Sequence, residues 1–172
     1  MPNMSKRDEP MMNKSANGSP DIEPLCKVHL RSGTTTTRRA LEKVLHALEG
    51  LKLDSEERHT VELVVAEALN NIVEHAYPET GNGGPIDIEC THRANGLHFA
   101  FFDEGQAMPD GTVPFASLPD LGLETEDLPD GGFGWFIINE LAKDVVYERV
   151  ADRNELRLRI AVAYGVDFAA AT

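Results

Sequence analysis

Between Cys26 and Arg31 the apolar Cys26, Val28 and Leu30 alternate with Lys27, His29 and Arg31, a period of two that predicts a half-buried strand over residues 25–31. Thr34 to Thr37 then read as a polar start signal. From Arg38 the apolar positions Leu41, Val44, Leu45, Ala47 and Leu48 follow a helical period, predicting a helix over 38–51 with Gly50 as its C-terminal cap. A second helix of about 22 residues starts at Asp54 or Ser55, carries Glu56 and Glu57 in its first turn and stops before Pro78. Its buried stripe is Val61, Val64, Val65, Ala68, Leu69, Ile72 and Ala76, while Glu67, Asn71 and His75 recur every four residues outside it. Strands follow at 86–91 and 97–102, joined by an Asn95-Gly96 hairpin turn.

After residue 102 the pattern lapses. Residues 103–131 are rich in Gly, Pro and acidic side chains, long for a connection inside a compact domain and therefore expected to be functional or disordered. Periodicity resumes as a glycine-entered helix over 132–141 and strands over 145–149 and 155–162, turned at Asp152 to Asn154. The order strand, helix, helix, two strands, helix, two strands predicts an α+β fold: a two-layer sandwich with helices on one face of a mixed, mostly antiparallel sheet. Residues 1–23 lack periodicity and enough apolar surface to offset the entropy of ordering, and are expected to be a disordered tail, with 24–163 as the domain and 164–172 as a second tail.

Composition narrows the function. A chain of 172 residues, 41% hydrophobic, holds one good core. Its net charge of −13 argues against nucleic acid or anionic membranes as partners. With no apolar run of spanning length and no signal-peptide order at the start, a cytoplasmic location is expected. Cys26 and Cys90 show no metal-ligand spacing and are expected to be reduced.

Three stretches carry candidate chemistry: Glu67-Ala-Leu-Asn-Asn71 with His75-Ala-Tyr77, Asp103-Glu-Gly105, and Gly131-Gly-Phe-Gly134. A glutamate four residues before an asparagine places both on one helix face about 6 Å apart, where Asn71 can bind a hard cation and Glu67 handle a proton. The same spacing also describes a solvated helix face. Asp103 ends an apolar strand, so its carboxylate belongs at the mouth of the core, able to accept from an exocyclic amine; read alone it is also a turn residue before Gly105. Glycines ahead of a helix let backbone N–H groups approach phosphate oxygens, or simply turn the chain into the helix. No Lys-Ser or Lys-Thr follows them, so this is not a P-loop, and no dinucleotide-binding unit opens the chain.

Together and in this order, over roughly residues 25–163, the motifs resemble the GHKL (histidine-kinase-like, Bergerat-fold) ATPases, in particular the RsbW-like anti-sigma factor serine/threonine-protein kinases. The resemblance implies ATP and Mg²⁺ as cofactors, Asn71 as the magnesium-binding asparagine and Glu67 as general base. It further implies that Asp103 meets the adenine amino group, that Gly105 shapes the adenine pocket, and that Gly132 and Gly134 close over the phosphates beside a lid at about 106–131. Ala107, where many members carry a second glycine, and the acidic, proline-rich lid depart from the family pattern.

The reaction so implied is phosphoryl transfer from ATP to a serine of a STAS-type anti-anti-sigma protein, with a sigma factor or comparable regulator as the competing partner and Arg38 and Arg39 on the partner face. Neither glycine motif contains arginine or lysine, so turnover is expected to be slow. A sensor histidine kinase would need a helical hairpin that 23 polar residues do not build, and gyrase-like or chaperone-like members need further domains. A non-catalytic ATP-binding module that sequesters a partner, and an α/β domain without nucleotide, are the alternatives. Helix one could also serve a homodimer face.

Overall fold

The computed structural model describes residues 23–78, 83–114 and 133–163. Five strands, β1 (Cys26–Arg31), β2 (Pro85–Arg93), β3 (Gly96–Asp103), β4 (Lys143–Val150) and β5 (Arg153–Ile160), form one sheet in the order β1-β2-β3-β5-β4. The expected α+β two-layer architecture is present. Every pairing is antiparallel, so the parallel component of a mixed sheet is absent among the described strands. The reason lies in the connections: a pair of helices separates β1 from β2 and returns the chain in the opposite sense, and tight turns join β2 to β3 and β4 to β5.

Helices α1 (Thr36–Leu48), α2 (Ser55–Asn71) and α3 (Phe133–Leu141) share one core with the inward positions of the sheet. Those positions keep strict parity: Val28 and Leu30 on β1, Ile86, Ile88 and Cys90 on β2, Leu97, Phe99 and Phe101 on β3, Leu156, Leu158 and Ile160 on β5. The opposite face is polar and laced by exposed ion pairs such as Lys27–Glu89 at 3.1 Å and Arg157–Glu148 at 2.7 Å, with the Arg153 guanidinium 4.2 Å above the Phe102 ring. Cys26 and Cys90, remote in sequence, stand opposite each other across β1 and β2 as free thiols. No helix among the described residues is long and apolar enough to cross a membrane.

Helix α2 begins at Asp54, which forms a complete capping box: Asp54 Oδ1 accepts from Glu57 N at 2.8 Å and Glu57 Oε2 accepts from Asp54 N at 3.0 Å. It runs into a wider π-turn, Ile72–Ala76, closed by Tyr77 N donating to Ile72 O at 3.2 Å. Three local expectations are corrected. Gly50 does not cap α1; it sits inside a 3₁₀ turn, Glu49–Leu51, and the left-handed residue is Lys52 at φ 51°. Arg93 pairs with Gly96, so Ala94 and Asn95 make the hairpin turn and the positive φ, 128°, falls on Gly96. Val150 likewise pairs with Arg153, which confines the second turn to Ala151 and Asp152 and leaves Asn154 inside β5.

Candidate functional site

The C-terminal end of α2, its π-turn and the N-terminal end of α3 meet above the end of the sheet where β3 finishes. Gly134, buried on α3, is the point of contact: a Cβ there would lie 2.7 Å from Glu67 Oε2 and 3.6 Å from Asn71 Oδ1. Only a residue without a side chain allows this approach. Two of the three sequence motifs are thereby joined. Burial, and next the Glu74 charge, push the Glu67 carboxyl above the usual glutamate range. Asn71 Nδ2 is buried without a hydrogen-bond partner, a costly arrangement unless a ligand completes it. His75, on the widened π-turn, is exposed and lines the pocket mouth.

The third motif forms the other end. Asp103 is 6% exposed at the end of β3, and its Oδ1 accepts from Gly105 N at 2.8 Å and Asn154 Nδ2 at 2.7 Å. Burial raises its carboxyl above the usual range, and those two donors together with the Arg149 charge counteract the rise. Gly105 lies so close to the π-turn that a Cβ would come within 2.4 Å of Ala76 O, and Gln106 N donates to that same carbonyl at 2.9 Å. Tyr77 straps the corner, its hydroxyl donating to Pro85 O at 2.9 Å and accepting from Glu104 N at 2.8 Å.

Between the two ends lies a pocket of about 450 Å³, lined by Asn71, Ile72, Ala76, Asp103, Met108, Trp135 and Asn154 among others. That volume is within the range of small-molecule sites, and its mix of apolar walls with a few convergent polar groups is typical of them. Among the described residues its lining contains no lysine or arginine. The start of the expected lid, up to residue 114, is anchored rather than free: Met108 N donates to Tyr147 OH at 2.9 Å and Asn139 Nδ2 to Pro114 O at 3.1 Å. The rest of the expected lid, Gly131 and Gly132, residues 1–22 of the expected tail 1–23, and the expected tail 164–172 lie outside the described residues.

Asn71 and Asp103 therefore line one pocket, while Glu67 and Gly134 meet behind Asn71 and Gly105 packs behind Asp103 against the Ala76 carbonyl. Asn154 and Tyr147 also line it, and Arg149 supports Asn154 and the Gly105 carbonyl from outside the lining; a turn expected at Asn154 hides all three in the sequence. A signal existed: Asn154 has the same parity as Leu156, Leu158 and Ile160, so it must face inward if they do.

The sequence matches the histidine kinase-like ATPase domain family over residues 31–160. This chain belongs to that family. Among curated proteins it is similar to the serine-protein kinase RsbW of Halalkalibacterium halodurans, 31% identical over 49% of this chain and 51% of that one. The serine-protein kinase RsbW of Bacillus mycoides is also 31% identical, over 49% and 52% of the two chains. The alignments thus span about half the length of these relatives. Among solved structures, the RsbU and RsbW domains of a Mycobacterium tuberculosis protein superpose with a TM-score of 0.52 at 14% identity, covering 82% of this chain and 34% of that one, a likeness of fold.

Proposed function

We propose that this chain is an ATP-dependent protein serine kinase of the RsbW type, which transfers the γ-phosphoryl group of ATP to a STAS-domain anti-anti-sigma protein and sequesters a sigma factor or comparable regulator. The observation that carries the reading is the approach of Gly134 to Glu67 and Asn71, with Asp103 across the pocket. The residues fit ATP and Mg²⁺ as cofactors. The Asn71 carboxamide offers its oxygen to a hard cation and its unpaired NH2 group to phosphate. Among the described residues no group of three His, Cys, Asp or Glu could hold a metal by itself. When bound, Mg²⁺ supplies charge neutralisation at the phosphates.

Glu67 is the group that orients the incoming serine hydroxyl and accepts its proton; its raised pKa brings it closer to a working base. Asp103 receives the adenine amino group, Gly105 and the Ala76 carbonyl form the wall behind the base, and Gly134, together with Gly132, leaves room for the phosphates. With no lysine or arginine among the described residues of the pocket lining, the acceleration rests on positioning, and turnover is slow. Arg38 and Arg39, exposed on the first turn of α1, belong to the partner face, and α1 is the candidate face for a homodimer. We place the protein in the cytoplasm, where such regulators act.

The test is incubation with labelled ATP, Mg²⁺ and purified STAS proteins, comparing wild type with Glu67→Gln and Asn71→Ala. Label is expected on a single serine, falling about 10²–10⁴-fold in Glu67→Gln as for loss of a general base. Nucleotide binding without transfer to any STAS protein would replace the kinase by a non-catalytic sequestering module.

A further inference from the structure

The inward polar residue on β5 has hydrogen bonds that specify its orientation completely. Asn154 is 2% exposed. Its Oδ1 accepts from Tyr147 OH at 2.7 Å and Arg149 Nη1 at 2.6 Å, both on β4. Its Nδ2 donates to Asp103 Oδ1 at 2.7 Å and to Gln106 O at 3.0 Å. With two donors fixed on the oxygen, the amide cannot flip, and its N–H groups must face the carboxylate. The second β4 arm reaches the loop directly: Arg149 Nη1 also donates to Gly105 O at 2.9 Å, and Tyr147 OH accepts from Met108 N. Gly105 N and Asn154 Nδ2 thus fall on the same carboxylate oxygen of Asp103, Oδ1, and hold the carboxylate from one side.

We infer that Asn154, held by Tyr147 and Arg149, is the positioning residue that makes Asp103 a pure acceptor and so selects a 6-amino purine over a 6-oxo purine. This rests on the nucleotide reading above and assigns the origin of its base selectivity to residues on β4 and β5. An ionised carboxylate offers acceptors only; it welcomes an exocyclic amine and rejects a carbonyl oxygen in the same place. Without the Asn154 donor the carboxylate is free to rotate or take up a proton, and a protonated Asp103 donates to a carbonyl as readily as it accepts from an amine. Loss of Asn154 or of the Tyr147 hydroxyl therefore acts on selectivity, whereas a merely structural defect weakens both nucleotides alike.

The experiment uses ATP and inosine triphosphate, which differ by the amino-to-oxo exchange at C6 and the hydrogen that accompanies it on N1. Binding with Mg²⁺ is followed by the fluorescence of Trp135, the single tryptophan of the chain, which lines the pocket. Wild type is expected to prefer ATP by at least about tenfold, and Asn154→Ala and Tyr147→Phe to bring that ratio close to one, chiefly by weakening ATP. Tyr147→Phe keeps the ring and guards against a misfolded Asn154→Ala; thermal unfolding establishes that each variant is folded. A folded variant whose ATP to inosine triphosphate ratio stays at the wild-type value overturns the inference while leaving the nucleotide site intact. A folded wild type that binds neither nucleotide overturns the nucleotide reading and this inference with it.

Discussion

Glu67 lies beside Glu74 in a partly desolvated corner, and both circumstances raise its pKa, burial more than charge. The base form is populated only as pH rises through a value above the ordinary glutamate range, so the transfer rate should climb with pH on a limb displaced upward from a free glutamate. Glu74→Gln removes the second cause and is expected to move that limb to lower pH; a rate profile of the two proteins checks it. Because ionising a carboxyl of raised pKa costs stability as pH rises, Glu67→Gln should unfold at the same temperature as wild type or higher at neutral pH while losing transfer. Gly134→Ala is the complementary change: its methyl would crowd Glu67 Oε2 at 2.7 Å, so transfer is expected to fall at least tenfold, with a melting temperature near that of wild type because the neighbour is a side-chain end. Among single residues, those that the pattern exposes, Glu67 and Asn71 off a buried stripe and Asp103 at a strand end, were legible. Asn154, Tyr147 and Arg149 were not, because their roles depend on which strand pairs with which. The register that sets Asp103 opposite Asn154 is a long-range fact.

At the scale of elements, the helices were legible from their caps and periods, and the errors fell at turns. Asp54 was one of two candidate caps; the reciprocal bonds with Glu57 decide for it, and Asp54→Ala should cost about 1 kcal/mol in chemical denaturation. Gly50 looked like a helix stop because glycine so often is one. The chain instead places Lys52 in the left-handed region, and a Cβ on Gly50 would meet nothing within 4 Å. Gly50→Ala is therefore expected to stabilise the protein by about 0.5–1 kcal/mol, measured as a shift in denaturation midpoint. Gly105→Ala should do the reverse. Its Cβ would lie 2.4 Å from the backbone oxygen of Ala76, so the loop must move off the π-turn, at about 1–3 kcal/mol and with loss of ATP affinity. The π-turn itself had no sequence signal: its residues continue the helical period, and the wider turn is visible only through Tyr77 bonding back to Ile72.

For the whole molecule, one antiparallel sheet carries a core on one face and paired charges on the other, and the pocket opens where α2, α3 and the end of β3 converge. The two layers followed from the order of elements; the purely antiparallel pairing and the meeting of Cys26 with Cys90 required the register. The central claim is that this convergence binds ATP with Mg²⁺. It is tested most directly by calorimetric titration of the folded protein with ATP in the presence and absence of Mg²⁺, alongside Asn71→Ala and Asp103→Asn. The account expects binding of one ATP per chain, strengthened by Mg²⁺ in wild type, insensitive to Mg²⁺ in Asn71→Ala and weakened at least about tenfold in Asp103→Asn. Absence of binding by the folded wild type with Mg²⁺ present, or affinity unchanged in both variants, would contradict it.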